Sequence, residues 1–74
     1  MGFKFFTNAA EDFKGQSIAI NSNLILSVIE RKVTVAAEGG NKTVTTTILY
    51  AGPNGSWEIT EDMLTVVARL NEKD

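Results

Sequence analysis

The chain has 74 residues and a mass of 8.0 kDa, with 43% hydrophobic, 22% charged and 8% aromatic residues, a composition typical of one small soluble domain. It has no cysteine and no histidine, which excludes disulfides, zinc and iron–sulfur ligation by these residues, thiol nucleophiles and imidazole bases. The net charge of -2 gives no overall attraction to phosphate, and we expect no enzyme activity, cofactor or metal.

No apolar stretch of the sequence is long enough to span a bilayer. The longest, Leu24 to Ile29, is interrupted by Ser27 and is far shorter than the roughly 20 residues of a membrane helix. The N-terminal residues, Met1 to Asn8, lack the cationic region and long apolar core of a secretory signal. We therefore expect a cytoplasmic protein that does not contact a membrane.

Two short strands are predicted near the start of the chain. Residues 3–7 and 16–20 both alternate apolar and polar side chains, which is the period of a half-buried strand. The polar stretch between them, residues 8–15, is predicted to be a loop or one helical turn. Residues 21–23 (Asn-Ser-Asn) favour a capped turn, because their side chains bond readily to nearby backbone.

The middle of the sequence predicts a β-meander. Residues 24–37 form two β-rich runs with a break near Arg31, and residues 38–41 (Glu-Gly-Gly-Asn) predict a hairpin turn. Residues 42–50 are rich in threonine, valine and isoleucine, which favours another strand. Residues 52–55 (Gly-Pro-Asn-Gly) are the strongest turn signal and lead into a further alternating run.

Residues 60–73 fit two different structures. Apolar residues at positions 63, 66, 67 and 70 have helical spacing, whereas residues 64–67 also fit a buried strand. A shift of 39 residues matches segment 18–28 to segment 57–67, and the first of these is too rich in isoleucine and valine for a helix. We therefore predict a strand bent at a short 3₁₀ turn near residues 60–63, like the one predicted near residues 21–24.

These elements predict a single all-β domain over residues 1–74, built as a small, strongly bent, five-stranded antiparallel barrel. Barrel closure lets few residues surround a core and leaves no strand edge exposed. The expected core residues are Ile18, Ile20, Val28, Val35, Ile48, Trp57, Ile59 and Leu64. A chain of this length buries only about 60% of its unfolded surface, so we expect self-association to add stability.

One candidate basic patch occurs in the sequence. Arg31 and Lys32 precede the predicted hairpin and Lys42 follows it, so the two strands could present these side chains together to phosphate. Glu30 and Glu38 flank the same hairpin, which favours an ordinary surface of mixed charge instead.

The acidic pair Glu61–Asp62 stands at the start of the ambiguous segment. Neighbouring carboxylates on a short turn point in different directions, and acidic side chains are favoured at the N-terminus of a helical turn. We interpret this pair as a cap rather than as an acid–base or metal-binding pair.

Residues 15–30 and 54–64 resemble two families of small proteins in their spacing of apolar and turn residues. The spacing is similar to that of the short Sm-like (LSm) proteins of phages and to that of flagellar FlbD-type proteins, over about two thirds of the chain. The Sm-like resemblance implies a bent β-barrel of the Sm-like or SH3-like kind. It also implies pairing of edge strands into a homo-oligomeric ring that binds RNA in its pore.

The nucleic-acid motifs of the Sm-like family are incomplete in this sequence. Asn21 and Asn23 lie in a turn after an apolar strand, as the family's loop asparagine does, but the accompanying aspartate and the Arg-Gly pair are absent. RNA contact would then fall to Asn21, Asn23, Arg31, Lys32 and Lys42. The expected function is a non-enzymatic ring protein assembled through β-edges, for which RNA is a candidate ligand, and the alternative is a monomeric accessory domain that docks on a larger protein.

Overall fold

Two antiparallel sheets and one helix make up the part of the chain that the computed structural model describes, residues 2–72. The elements are β1 (Phe3–Thr7), β2 (Ser17–Asn21), β3 (Ser27–Ala37), β4 (Gly40–Tyr50), β5 (Ser56–Ile59) and α1 (Met63–Leu70). Short 3₁₀ turns lie at Glu11–Phe13, Ser22–Leu24 and Gly52–Asn54. The prediction of a small, mainly β domain is confirmed.

The two sheets join at one end of β1. β1 pairs with β2, and β3, β4 and β5 form a second sheet in the order β3-β4-β5. A bridge between Asn8 and Ile59 connects the sheets and gives the continuous strand order β2-β1-β5-β4-β3. β2 and β3 stand at its two ends and are not paired with each other within residues 2–72, so the described strands do not close into a barrel.

The β3–β4 hairpin is longer and more regular than predicted. β3 runs without interruption from Ser27 to Ala37, and its partners run from Tyr50 to Gly40, so the expected break near Arg31 does not occur. Arg31 lies opposite Thr46 in the regular ladder. A charged side chain needs no break there, because a two-stranded ribbon leaves it in solvent. Residues 24–26 precede the strand instead of belonging to it.

Glycines close the two tight turns of the meander. The turn between β3 and β4 consists of Glu38 and Gly39, and Gly39 has a φ of 81°, which side chains with a Cβ rarely adopt. Gly52 begins the turn before β5 with a φ of 61°, and a Cβ there would lie 2.9 Å from the Leu26 Cδ1 atom. Both predicted turns and the β-meander are confirmed.

The segment after β5 is a helix, so the prediction of a second bent strand there is wrong. The Asp62 carboxylate caps α1 by accepting a hydrogen bond from the Thr65 amide at 2.7 Å. Val66 is fully buried, and its neighbours Met63 and Leu70 on the same face are partly buried. This apolar contact, together with the cap, outweighs the weak helix propensity of the β-branched residues.

The two segments related by the 39-residue shift are alike only in their first halves. Each contains a strand followed by a capping side chain: Asn21 is the last residue of β2, whereas Asp62 lies beyond the end of β5 at Ile59. The 3₁₀ turn predicted near residues 21–24 is confirmed, but near residues 60–63 the chain bends and enters α1.

Side chains from both sheets and α1 build the hydrophobic core. The buried cluster comprises Phe6, Ile20, Leu49, Ile59 and Val66. Partly buried residues pack against it: Ile18, Ile25, Val28, Trp57 and Leu70. The core prediction is therefore confirmed for Ile20 and Ile59, and Ile18, Val28 and Trp57 lie at the margin of the core.

Three predicted core residues lie elsewhere. Val35 is 40% exposed because it lies beyond the end of β5, where no third strand covers the hairpin. Leu64 is 82% exposed on the outer face of α1. Ile48 is only partly buried, because strand alternation directs the neighbouring Leu49 into the core and Ile48 to the opposite face.

Removal of the α1 cap is expected to destabilise the helix. Hydrogen bonding from the Thr65 backbone holds the pKa of Asp62 below its ordinary value. Asp62→Ala leaves this amide without its acceptor, so we expect loss of helical signal and a fall of a few degrees in the thermal midpoint. Circular dichroism measures both quantities. Asp62→Asn keeps the acceptor oxygen and should stay close to the wild type; equal losses in both variants would contradict capping.

Candidate functional site

The outer part of the β3–β4 hairpin projects beyond the rest of the sheet. β5 pairs with β4 only from Thr47 to Tyr50, so residues 31–37 and 40–46 form a free two-stranded segment, here called the ribbon. The described chain is correspondingly elongated, with principal extents of 45 × 23 × 21 Å.

The two faces of the ribbon differ in chemistry. One face, here called the groove face, carries Arg31, Val33, Val35, Lys42, Val44 and Thr46. The opposite face is polar and carries Lys32, Thr34, Thr43 and Thr45. The groove face apart from Lys42, together with Glu58 and loop residues of the 9–14 segment, lines an open groove of about 700 Å³. The ribbon thus leaves a strip of valines accessible along one face.

An ion pair lies at the end of the groove face that is nearest to β5. The Arg31 Nη1 atom lies 3.1 Å from both carboxylate oxygens of Glu58. The Thr46 hydroxyl donates a further hydrogen bond to the same carboxylate. The Arg31 side chain is about half exposed and Glu58 less so. Arg31 therefore has its charge balanced within the sheet.

The bridge between the sheets determines where the backbone groups of β5 point. The Thr60 amide donates to the Thr7 carbonyl, and the Ala9 amide donates to the Glu58 carbonyl, each at 2.9 Å. Positions 58 and 60 therefore face β1. Because backbone groups alternate along a strand, the amide and carbonyl of Ile59 face β4.

Among residues 2–72, the same alternation leaves one hydrogen-bonding edge of β3 without a partner strand. Ile59 lies opposite Thr47, so the amide and carbonyl of Thr47 face β5. The residues on either side of Thr47 in β4 therefore direct their backbone groups to β3. In β3 the odd-numbered residues consequently bond to β4. The amides and carbonyls of Glu30, Lys32 and Thr34 point away from the sheet, along the outer edge of an 11-residue strand.

The two asparagines proposed as RNA ligands belong to one turn, which the Asn21 side chain caps. The Asn21 Oδ1 atom accepts a hydrogen bond from the Asn23 amide at 3.0 Å and caps the 3₁₀ turn between β2 and β3. The adjacent Ser22 amide donates to the Gly2 carbonyl at 3.0 Å. These contacts tie the turn to the start of β1.

The three basic candidates do not form one patch. Lys32 lies opposite Thr45 and Lys42 lies opposite Val35, so alternation places the two lysines on opposite faces of the ribbon. Lys42 shares the groove face with Arg31, which is paired with Glu58. The Lys32 Nζ atom is 3.8 Å from a carboxylate oxygen of Glu30. The hairpin therefore distributes these charges instead of collecting them.

Glu61 connects three parts of the fold, a role that the sequence did not indicate. Its carboxylate accepts hydrogen bonds from the Thr7 amide at 2.9 and 3.0 Å and from the Thr7 hydroxyl at 3.0 Å. Its carbonyl accepts a bond from the buried Thr47 hydroxyl at 2.7 Å. The Arg69 Nη1 atom lies 3.6 Å from the carboxylate. Only Asp62 of the predicted acidic pair acts as the helix cap.

The electrostatics of Glu61 match this structural role. Partial burial raises the pKa of Glu61, but hydrogen bonds from Thr7 and the positive charge of Arg69 outweigh it, and the net pKa lies below the ordinary value of 4.5. Arg69 also donates to the Phe5 carbonyl at 2.8 Å and lies over the Phe6 ring, 5.3 Å from its centroid. The cluster joins α1 to β1 and uses its polar groups internally.

The part of the chain between Gly2 and Glu72 contains no cluster of three acidic side chains suited to a metal ion. Its helix is too short to cross a bilayer. Comparison with known proteins identifies no matching family model, no similar curated protein and no similar solved structure. The free edge of β3 offers outward-facing backbone groups, and the groove face of the ribbon offers accessible apolar side chains.

Proposed function

We propose that this protein is a non-enzymatic module that assembles into a homo-oligomer through the exposed edge of β3. The observation that carries the proposal is the free edge itself. β3 is 11 residues long, lies at the end of the strand order, and directs the backbone groups of Glu30, Lys32 and Thr34 outward. Such an edge is a template for pairing with another strand.

The side chains beside this edge support a protein contact. Ile29 is 48% exposed and Val35 is 40% exposed, and both lie on the same face of β3. Pairing with another strand would add main-chain hydrogen bonds and would place further side chains against these residues. A small domain with a buried cluster of five apolar residues gains stability from that extra burial.

An Sm-like assembly is the form of this proposal that the sequence resemblance favours. In the strand order β2-β1-β5-β4-β3, β2 and β3 are the two ends. Pairing of β2 with β3 inside one chain would complete a five-stranded barrel. Pairing of β3 with β2 of the next copy is a heterologous contact that generates a ring where the rotation closes. Pairing of two β3 strands is isologous and generates a dimer.

A matched pair of proline variants tests the role of the β3 edge. Thr34 and Thr43 lie opposite each other in the ribbon, and their amides point to opposite outer edges. Proline removes an amide and is tolerated at an outward-facing edge position. We expect Thr34→Pro to shift the wild-type oligomer toward monomer and Thr43→Pro to leave its mass unchanged. Light scattering coupled to size-exclusion chromatography measures the mass across protein concentrations.

Folding of both variants is checked by circular dichroism, since a β-rich spectrum must persist for the masses to be compared. A wild-type protein that remains monomeric up to about 100 μM, where contacts of ordinary affinity assemble, would overturn the proposal. That result would favour the accessory domain that docks on a different protein. A wild-type oligomer that Thr34→Pro leaves intact would also overturn it, because the contact would lie away from β3.

A further inference from the structure

The pattern of charges along β3 is self-complementary. Glu30 and Lys32 lie on the same face of the strand, separated by Arg31, and both direct their backbone groups to the free edge. Two copies of β3 related by a two-fold axis run antiparallel. When that axis passes through Arg31, Glu30 of each copy lies opposite Lys32 of the partner subunit.

A continuous two-fold sheet requires the axis to pass through a residue of β3 and not between two residues. A two-fold axis perpendicular to the sheet keeps each residue and its copy on one side of the sheet, and directly opposed residues also share a side. An even-numbered residue therefore pairs only with an even-numbered residue, and an odd one only with an odd one. Centring the axis on Glu30 opposes two glutamates, and centring it on Lys32 opposes two lysines. Among axes through a residue of β3, only the one at Arg31 places opposite charges of the strand itself directly across from each other, twice.

The uncharged positions agree with this register. On the groove face, Ile29 lies opposite Val33 of the partner subunit, and this apolar pair occurs twice because of the symmetry. Ser27 lies opposite Val35 of the partner subunit. Leu26, which is 70% exposed just before β3, lies beside the approaching end of the partner's ribbon. In this register the exposed apolar side chains at both ends of the contact pack against the partner subunit.

The axis position is also consistent with the backbone pattern. Arg31 bonds to β4, so Arg31 and its symmetry copy form a pair without mutual hydrogen bonds, while Glu30 and Lys32 of the partner subunit exchange them. The two guanidinium groups meet at the axis. Each one is held by a Glu58 carboxylate of its own subunit at 3.1 Å, which offsets their repulsion.

We infer that two copies of this protein pair β3 to β3 in antiparallel orientation about a two-fold axis at Arg31, forming one six-stranded sheet from two three-stranded ones. The inference rests on the proposed self-association and specifies its partner, edge and register. The partner is a second copy of this chain, recognised by the charge sequence Glu30–Arg31–Lys32. A ring built from this unit would use the β2 edge for its second contact.

Charge-exchange variants test the register in solution. Lys32→Glu places two glutamates opposite each other at both symmetric positions, and we expect the dimer dissociation constant to rise about 10- to 100-fold. Glu30→Lys should have a similar effect. The double variant Glu30→Lys/Lys32→Glu restores both opposite-charge pairs and should return to within about threefold of the wild type. Sedimentation equilibrium measures these constants, and Lys42→Glu is the control with the same change in net charge.

Introduced cysteines test the axis directly, because the chain has none of its own. Opposed residues in a pair without mutual hydrogen bonds have Cα atoms about 4.5 Å apart, within the disulfide range. Arg31→Cys should therefore form a disulfide-linked dimer with an added oxidant such as copper phenanthroline. Ile29→Cys alone should not cross-link, because it lies opposite Val33 of the partner subunit, whereas Ile29→Cys/Val33→Cys should cross-link.

The outcomes separate this inference from the proposed function. A monomeric wild type overturns both. A wild-type oligomer that Thr34→Pro dissociates, but that neither responds to charge exchange nor cross-links through Arg31→Cys, overturns the two-fold register and leaves assembly through β3 standing. Cross-linking at Arg31 together with recovery in the double charge exchange supports the inference.

Discussion

Leu49→Ala is expected to remove most of the stability of the fold. Leu49 is fully buried and packs in the cluster with Phe6, Ile20, Ile59 and Val66. Truncation of a buried leucine costs about 2 to 5 kcal/mol, because it loses apolar burial and leaves a cavity. A core of this size supplies only about 3 to 5 kcal/mol in total. We therefore expect a large unfolded population at 25 °C, measured by urea denaturation with Trp57 fluorescence.

Ile48→Ala is the matched control for this prediction. Ile48 is the next residue in β4, is similar in size and is only partly buried on the opposite face. Its truncation should cost about 1 kcal/mol. The two variants must be compared at one protein concentration, because self-association adds to apparent stability. A larger loss in Ile48→Ala than in Leu49→Ala would contradict the observed orientation of β4.

The sequence does not show which face of β4 is buried. Ile48 and Leu49 are adjacent, so either could face the core, and threonines occupy both faces of the strand before them. In the structure Leu49 faces the core, and the buried Thr47 on the same face is compatible with that orientation because its hydroxyl donates to the Glu61 carbonyl. That acceptor is 14 residues away, and local alternation carries no information about it.

The elements that were predicted correctly depend on local signals. Alternation predicts β1 and β2, and Gly39 and Pro53 mark turns through their own backbone preferences. The α1 segment was misassigned because its local pattern fits both a helix and a strand and the match to segment 18–28 favoured a strand, whereas packing of Val66 against the core decides the structure. Local preference was sufficient only where tertiary contacts agreed with it.

The sequence indicated that the protein self-associates, but it did not indicate which surface is used. Small size, the β pattern and the absence of cysteine indicated self-association, and the basic residues of the hairpin were identified by their spacing. Pairing of Arg31 with Glu58 spans 27 residues and depends on the β4–β5 register, which the sequence does not specify. The free edge of β3 likewise follows from strand order. The sequence alone could therefore name the charged residues but not the edge they line.

Glu61→Ala is expected to destabilise the protein by about 2 to 3 kcal/mol at pH 7. The substitution removes the acceptor of the Thr7 amide and hydroxyl and leaves Arg69 without its carboxylate. Only 17% of the Glu61 side chain is exposed, so water replaces these contacts poorly. Urea denaturation measures the loss. Glu11→Ala removes an exposed carboxylate from the 8–15 loop and should change stability by less than about 0.5 kcal/mol.

The Glu61 contribution should also depend on pH in a defined direction. The pKa of Glu61 in the folded protein lies below the ordinary value of 4.5, so acid protonates the unfolded chain more readily and favours unfolding. The contribution is complete above pH 4.5 and disappears as the pH falls through the folded pKa. Glu61→Gln lacks this titration, so the gap in stability between wild type and variant should narrow as the pH decreases from 7 to 3. A gap that stays constant or widens toward acid would show that the charge of Glu61 does not hold α1 against β1.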